Sequence, residues 1–286
     1  MIQIILIAIA TLLIVVSTTL GFVNTIKGNA LEKKLIAIST GINELKEKSA
    51  ASEELAKNLG GEQKKQVDPH WAYDGDLGPA HWGVDYPVCG TGQSQSPIDI
   101  RGPFEKTLHM ISTAYTTGPL QIINNGHTLQ VKVAPGSKMM VNAEPYELVQ
   151  FHFHRPSEEK IDGTPQAMVI HFVHKNEEGK LVVLGVLLKE GMENQIIKSI
   201  WANAPQIAGP MVADTKTTIN PNDLLPTEKS FFEFSGSLTT PPCTEGVTFF
   251  ILKKPMHISK EQVAAFPFSM NARPSQPLNG RKVLTN

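Results

Sequence analysis

The chain has few cysteines and almost no net charge. Among its 286 residues only Cys89 and Cys243 carry thiols, which allows a single intramolecular pairing. Lys and Arg number 26 against 27 Asp and Glu, a net charge of −1, so there is no electrostatic case for nucleic acid. Residues 4–23 contain no charge at all, over about the length that spans a bilayer. No Lys or Arg precedes Lys27, so the basic region that opens a secretory signal is missing, and Ser17-Thr18-Thr19 makes a poor cleavage site. The expectation is an uncleaved membrane anchor over residues 1–23, with secretion if that segment is removed. Lys27, Lys33 and Lys34 follow the run and bias the remainder toward the cytoplasm.

Residues 24–66 lack proline and aromatic side chains and cannot build a core of their own. Leu31, Leu35, Ile38, Ile42 and Leu45 recur at the spacing of a short coiled-coil seam that fails at Ser49 and Ser52. Self-association through this stalk and a single amphipathic helix fit equally well. Gly60-Gly61 and the polar run after them read as a flexible joint.

What is present begins near Val67. With 41% apolar and 19% charged residues overall, residues 67–286 form a globular domain able to bury roughly 70% of its unfolded surface. Short runs such as TLQVKV, YELVQFHFH, AMVIHFVHK, LVVLGVLLK and GVTFFILKK, separated by Gly, Pro and Asn, predict strands. Helical signals are few, chiefly the segment around Trp201 and SKEQVAAF, where Ser259 and Gln262 predict a capping box. A single, mainly β (α+β) domain follows, with a few short helices.

The chemistry concentrates in residues 151–174. His152 and His154 lie two apart in an alternating run, so on a strand both imidazoles leave one face. His171 follows the turn-prone DGTP, which lets the chain reverse and bring a neighbouring strand alongside. Three convergent imidazoles with no cysteine nearby suit a catalytic zinc whose fourth position is left to water. On its own, an HxH pair fits solvated histidines as well as ligands.

Several separate stretches then fit one family in order: HWAYDGDLGPAHW, QSQSPIDI, NNGHTLQV, QFHFH, PSE, HFVH, SLTTPPCTEGVTFF and NARPSQPLNGR. Over nearly all of residues 67–286 the chain resembles an α-class carbonic anhydrase, and the HFHxPSE form is similar to the bacterial branch. The resemblance implies a large twisted, mostly antiparallel central sheet and reversible hydration of CO2 to bicarbonate. It implies one zinc per chain on His152, His154 and His171, inhibition by sulfonamides and anions, and a hydroxide nucleophile at neutral pH, because zinc lowers the pKa of bound water from 15.7 to about 7. Thr239 matches the hydroxyl that accepts from this nucleophile while donating to Glu158, and Thr240 matches a bicarbonate contact.

Further roles come from the same comparison. His127 matches a proton shuttle, with Tyr73, Asn125 and Gln130 holding connecting waters. Val173, Val183, Leu238, Val247 and Phe249 match an apolar wall suited to a linear molecule without a dipole; each is equally compatible with ordinary core. Phe249 stands where tryptophan is common in the family. Gln150 matches the partner of the His152 ring, and the Asn271 carbonyl the partner of His154. For His171 the family places a glutamate two residues earlier, where this chain has Val169. Valine cannot accept a hydrogen bond, so His171 must find a water or another acceptor or leave its N–H unpaired. The expectation is zinc binding that is retained but weakened, or slower turnover, compared with Val169→Glu.

Cys89 and Cys243 fall where exported members of the family carry a disulfide, although two reduced thiols remain compatible with the sequence. The pairing implies an oxidising compartment and outweighs the lysine bias, so the expected location is extracytoplasmic, periplasmic or at the cell surface, held at the membrane by residues 1–23. Two other readings stay open: a low-activity or catalytically silent zinc-binding module of the same fold, and a cupin-type metalloprotein. In the latter the LTTPP and NARPSQPL stretches have no role.

Overall fold

The computed structural model describes residues 38–41, 43 and 70–286. The chain divides into two units, Met1–Asp68 and Pro69–Asn286, each described by itself. In the first, 38–41 and 43 are helical and Ile38 is exposed. The expected anchor, the joint and the seam positions Leu31, Leu35, Ile42 and Leu45 lie outside the described residues. Among the described residues no helix is long and apolar enough to cross a membrane.

Alternation governs the centre of the second unit. In β7 (Glu144–His154) Phe151 and Phe153 point to one face, His152 and His154 to the other. β10 (Met168–Lys175) pairs with it antiparallel and sends Ile170 and Phe172 to the phenylalanine side and Val169 and His171 to the histidine side. β11 (Leu181–Glu190) repeats the pattern with Leu184 and Val186 against Val183 and Leu187. One face therefore covers the larger core, built around Phe151, Phe153, Phe172 and Phe250. The other carries a second apolar cluster beside the histidines.

Around these strands a 12-stranded sheet forms. The remaining members are β2 (Glu105–Lys106), β3 (Ile111–Ala114), β4 (Gly118–Asn124), β5 (Leu129–Lys132), β6 (Lys138–Val141), β12 (Val212–Ile219), β13 (Phe231–Ser237), β14 (Glu245–Ile258) and β15 (Leu284–Thr285). The order is β12-β4-β5-β7-β10-β11-β14-β13-β15-β2, with β3 joined to β6 and β6 to β7. Pairing is mostly antiparallel, as expected; β11 with β14 and β15 with β2 are parallel. A small sheet of β1 (Asp99–Ile100), β8 (Lys160–Ile161) and β9 (Thr164–Pro165) lies apart from this path. The DGTP turn closes the β8–β9 hairpin, with Asp162 at φ 50° and Gly163 at φ 81°, the backbone signature of a two-residue I′ turn. The reversal expected between His154 and His171 is thus made, with an extra hairpin inside it.

Helices are short and peripheral: α1 (Trp82–Asp85), α2 (Pro87–Thr91), α3 (Gln195–Ala202) and α4 (Lys260–Ala265). Asn194 caps α3 through the backbone N–H groups of Ile196 and Ile197, and the Ser259/Gln262 capping box opens α4.

Candidate metal centre and its surroundings

Strand register assembles the three histidines. His171 lies directly opposite His152 across the β7–β10 ladder, and His154 follows two residues along the same face. One ring nitrogen from each lies within 4.8 Å of the others. His154 and His171 are buried, His152 half-buried.

The outer partner of each ring decides its tautomer. His152 Nδ1 is 2.9 Å from Gln150 Oε1 and His154 Nδ1 is 2.7 Å from the Asn271 carbonyl. Both acceptors can only accept, so each Nδ1 carries the hydrogen and each Nε2 keeps a lone pair. His171 is reversed: its Nε2 donates to both carboxylate oxygens of Glu159, at 3.1 and 3.0 Å, leaving Nδ1 for the centre. Of the alternatives open to His171 without a glutamate at 169, the structure takes another acceptor, Glu159. Val169 is fully buried in the neighbouring apolar cluster, and Glu159 supplies the carboxylate from the segment before β8.

Burial, then the charges of neighbouring histidines, pushes the His152 imidazole down to about 3 and that of His154 well below its ordinary value. Burial opposes charge on His171 too, but Glu159 and then Glu158 hold its pKa above the usual value. The His154 Nε2 is buried and has no hydrogen-bond partner. Three imidazole nitrogens with fixed tautomers, one of them otherwise orphaned, and no thiolate beside them fit a zinc ion with one position left for water.

Glu158 and Thr239 sit against this cluster. Glu158 Oε2 lies 3.4 Å from His154 Nε2 and 3.8 Å from His171 Nδ1, while Oε1 accepts from the backbone N–H of Arg273 at 2.8 Å. Burial pushes the carboxyl up to about 7, against the opposing pull of His171, the Arg273 N–H and the Thr239 hydroxyl. A divalent cation at the histidines would favour the carboxylate form further. Thr239 is buried in the turn between β13 and β14, and Thr240 beside it is half-buried.

Arg273 lies in the NARPSQPLNGR stretch, and the sequence gives it no role. Its buried guanidinium donates to Gln95 Oε1 (2.9 Å) and to the carbonyls of Ser96 (2.7 Å) and Cys89 (3.0 Å). One side chain thus ties the loop before β1 to the segment behind Glu158. Asn271 acts similarly: its side chain donates to the His127 and Phe153 carbonyls and accepts from the Arg155 N–H. This fixes the carbonyl that faces His154. Nothing local in the sequence marks either network, whose partners lie 116 to 184 positions away.

His127 is half-buried and stacks on Trp71, ring centroids 3.7 Å apart and 12° from parallel. Burial, then the nearby His70, lowers its pKa. Asn125 Oδ1 accepts from the backbone N–H groups of His127 and Thr128, both at 2.9 Å, so that oxygen shapes the turn and only the amide nitrogen is left for water. Tyr73 packs edge-on against Trp71 and Trp82, and burial, then the Glu158 charge, keeps its phenol protonated. Gln130 on β5 is opposite His152.

All five residues of the expected apolar wall fall in one cluster. Val183, Val247 and Phe249 are buried there, with Val173 and Leu238 packed against them. The Phe249 ring centroid is 6.0 Å from that of His171. Cys89 in α2 and Cys243 in the Thr239 turn are joined by a disulfide, and Gln95 donates to the Cys243 carbonyl.

Residues 77–286 match the family model described as eukaryotic-type carbonic anhydrase. A carbonic anhydrase of Klebsiella pneumoniae is 44% identical over 223 residues, 75% of this chain and 90% of the relative. The α-carbonic anhydrase of Thermovibrio ammonificans, solved with the inhibitor sulfanilamide, superposes with a TM-score of 0.72 at 39% identity, covering 75% of this chain and 98% of that one. A carbonic anhydrase of Chlamydomonas reinhardtii, solved with acetazolamide, gives 0.68 at 34% identity over 76% and 99% of the two chains. With a matching family model over most of its length, a bacterial relative of this similarity and three imidazoles set around one point on the sheet, the chain belongs to the eukaryotic-type, or α-class, carbonic anhydrase family.

Proposed function

We propose that this chain catalyses the reversible hydration of CO2 to bicarbonate and a proton, with zinc held by His152 Nε2, His154 Nε2 and His171 Nδ1. The convergence of these three nitrogens, each with its outer partner, carries the reading. Zinc, when bound there, lowers the pKa of its water to about 7 and so supplies hydroxide at neutral pH. The protein does the rest. Gln150, Asn271 and Glu159 fix the imidazole tautomers. Glu158 accepts from the Thr239 hydroxyl, which leaves the Thr239 lone pairs to accept from the attacking hydroxide and aim it. Val173, Val183, Leu238, Val247 and Phe249 form the dry wall that receives CO2, and Thr240 contacts the bicarbonate product.

Proton export falls to His127. Its pKa below the ordinary histidine value keeps it neutral at pH 7 and ready to accept, whereas a fall in pH through that pKa would charge it and stall hydration. Tyr73, the amide nitrogen of Asn125 and Gln130 hold the water path. Stopped-flow CO2 hydration is expected to be fast in the purified protein and abolished by a zinc chelator or a sulfonamide. Replacing His127 by Ala should lower kcat with kcat/KM little changed, and free imidazole should restore it. Absence of hydration in protein shown to contain zinc would instead favour the catalytically silent module.

The same reading extends to location. The Cys89–Cys243 disulfide supports an extracytoplasmic domain, anchored by residues 1–23 with 24–66 as a stalk. Protease added to spheroplasts should reach the domain. Complete protection until the inner membrane is lysed would reverse this topology.

A further inference from the structure

We propose that Glu159 is the positioning residue for His171, so that the carboxylate this zinc site needs is delivered from the segment before β8 instead of from β10. The inference rests on the zinc reading above. Its observation is a single juxtaposition: both oxygens of a fully buried glutamate lie 3.0 and 3.1 Å from His171 Nε2. A buried carboxylate persists only where it is paired and hydrogen-bonded. Beside Glu159, the imidazole of His171 is the side chain that meets this need.

Local structure explains how the side chain arrives. Ser157 Oγ accepts from the Gln166 N–H and donates to the Glu159 carbonyl, and the Ser157 N–H donates to the Gln166 carbonyl. These bonds tie the start of the β8–β9 hairpin to its end and turn Glu159 inward directly after the equally buried Glu158. Val169 occupies the position on β10 from which a carboxylate could otherwise reach His171, two residues earlier on the same strand face, and it packs instead into the apolar cluster.

The consequence inverts the first expectation for Val169. With Glu159 in place, Val169→Glu would bury a second carboxylate beside the same N–H, and the two like charges would compete. Relocation should succeed only when Glu159 is removed at the same time.

The test is zinc affinity, measured by competition with a chromophoric chelator on folded protein checked by circular dichroism. Glu159→Ala is expected to weaken zinc binding by about 10–100-fold, the usual effect of losing such a partner, and Glu159→Gln by less because an amide oxygen still accepts. Val169→Glu alone should bind zinc more weakly than the parent chain. The double variant Glu159→Ala/Val169→Glu should recover most of the affinity lost in Glu159→Ala, a rescue that a merely structural role for Glu159 does not produce. Parental affinity in both Glu159 variants, tighter binding by Val169→Glu alone, or a folded double variant without recovery would each overturn the proposal. If Glu159→Ala does not fold, Glu159→Gln and Val169→Glu still decide it. A parent chain that fails to bind zinc at all would defeat the zinc reading itself, a different outcome from parental affinity in the variants.

Discussion

Replacing His154 by alanine is expected to abolish stoichiometric zinc binding and to reduce CO2 hydration by well over about 100-fold, since even losing an outer partner of a ligand costs up to that much. His154 is the sharpest choice because its environment is the most determined. Its ring is buried, its Nδ1 is committed to the Asn271 carbonyl at 2.7 Å, and its Nε2 has no acceptor or donor of its own. Truncation leaves two imidazoles, one short of what an open zinc site uses. The core strands should survive, because Phe151 and Phe153 on the opposite face of β7 are untouched. Metal analysis after dialysis, set beside circular dichroism and stopped-flow hydration, checks the result. Near-parental zinc content with a native spectrum would mean that the metal lies elsewhere.

The second large effect concerns Cys89 and Cys243. Their bridge spans 154 positions, and the chain-entropy model assigns such a loop about 5 kcal/mol of stabilisation, within a usual range of about 2–5 for removing a native disulfide from small domains. Changing both cysteines to serine should therefore lower Tm by roughly 4–20 °C for a domain of this size. It should also loosen the turn that carries Thr239, so activity should fall more steeply with temperature than the loss of stability alone requires. Arg273 and Gln95 limit the damage, because they hold the Cys89 and Cys243 carbonyls independently of the sulfur bridge. Thermal melts of the serine variant, and of the parent with and without reductant, measure it. An unchanged Tm in all of them would show that the hydrogen-bonded frame alone holds the turn.

Much of the site can be read without the structure where the governing rule is local. Period-two alternation puts His152 and His154 on one strand face whatever the strand pairs with, because successive side chains on a strand point to opposite sides. The Ser259/Gln262 box that opens α4 spans four residues and depends on no distant contact. Asp162-Gly163 closes a hairpin because those residues tolerate positive φ. Similarity of the stretches beyond the histidines named the chemistry that spacing alone left open.

Glu159 shows where such reading stops. In sequence, Glu158-Glu159-Lys160 looks like a short charged run, and Val169 looks like a lost glutamate. Whether a carboxylate reaches His171 depends on the inward turn set by Ser157 and Gln166, and on the β7–β10 register that leaves the His171 ring facing it. The Arg273 and Asn271 networks are of the same kind. Their donors and acceptors are ordinary residues until the sheet brings them together across more than a hundred positions. The sequence by itself determined the strand faces, the Ser259/Gln262 cap, the turn residues and the placing of His152 and His154 on one face, because each follows from backbone geometry within a few residues. Only the tertiary structure brought His171 against those two and decided that Glu159 orients its ring, since a hydrogen bond is specified by a distance of about 3 Å and long-range packing alone sets that distance.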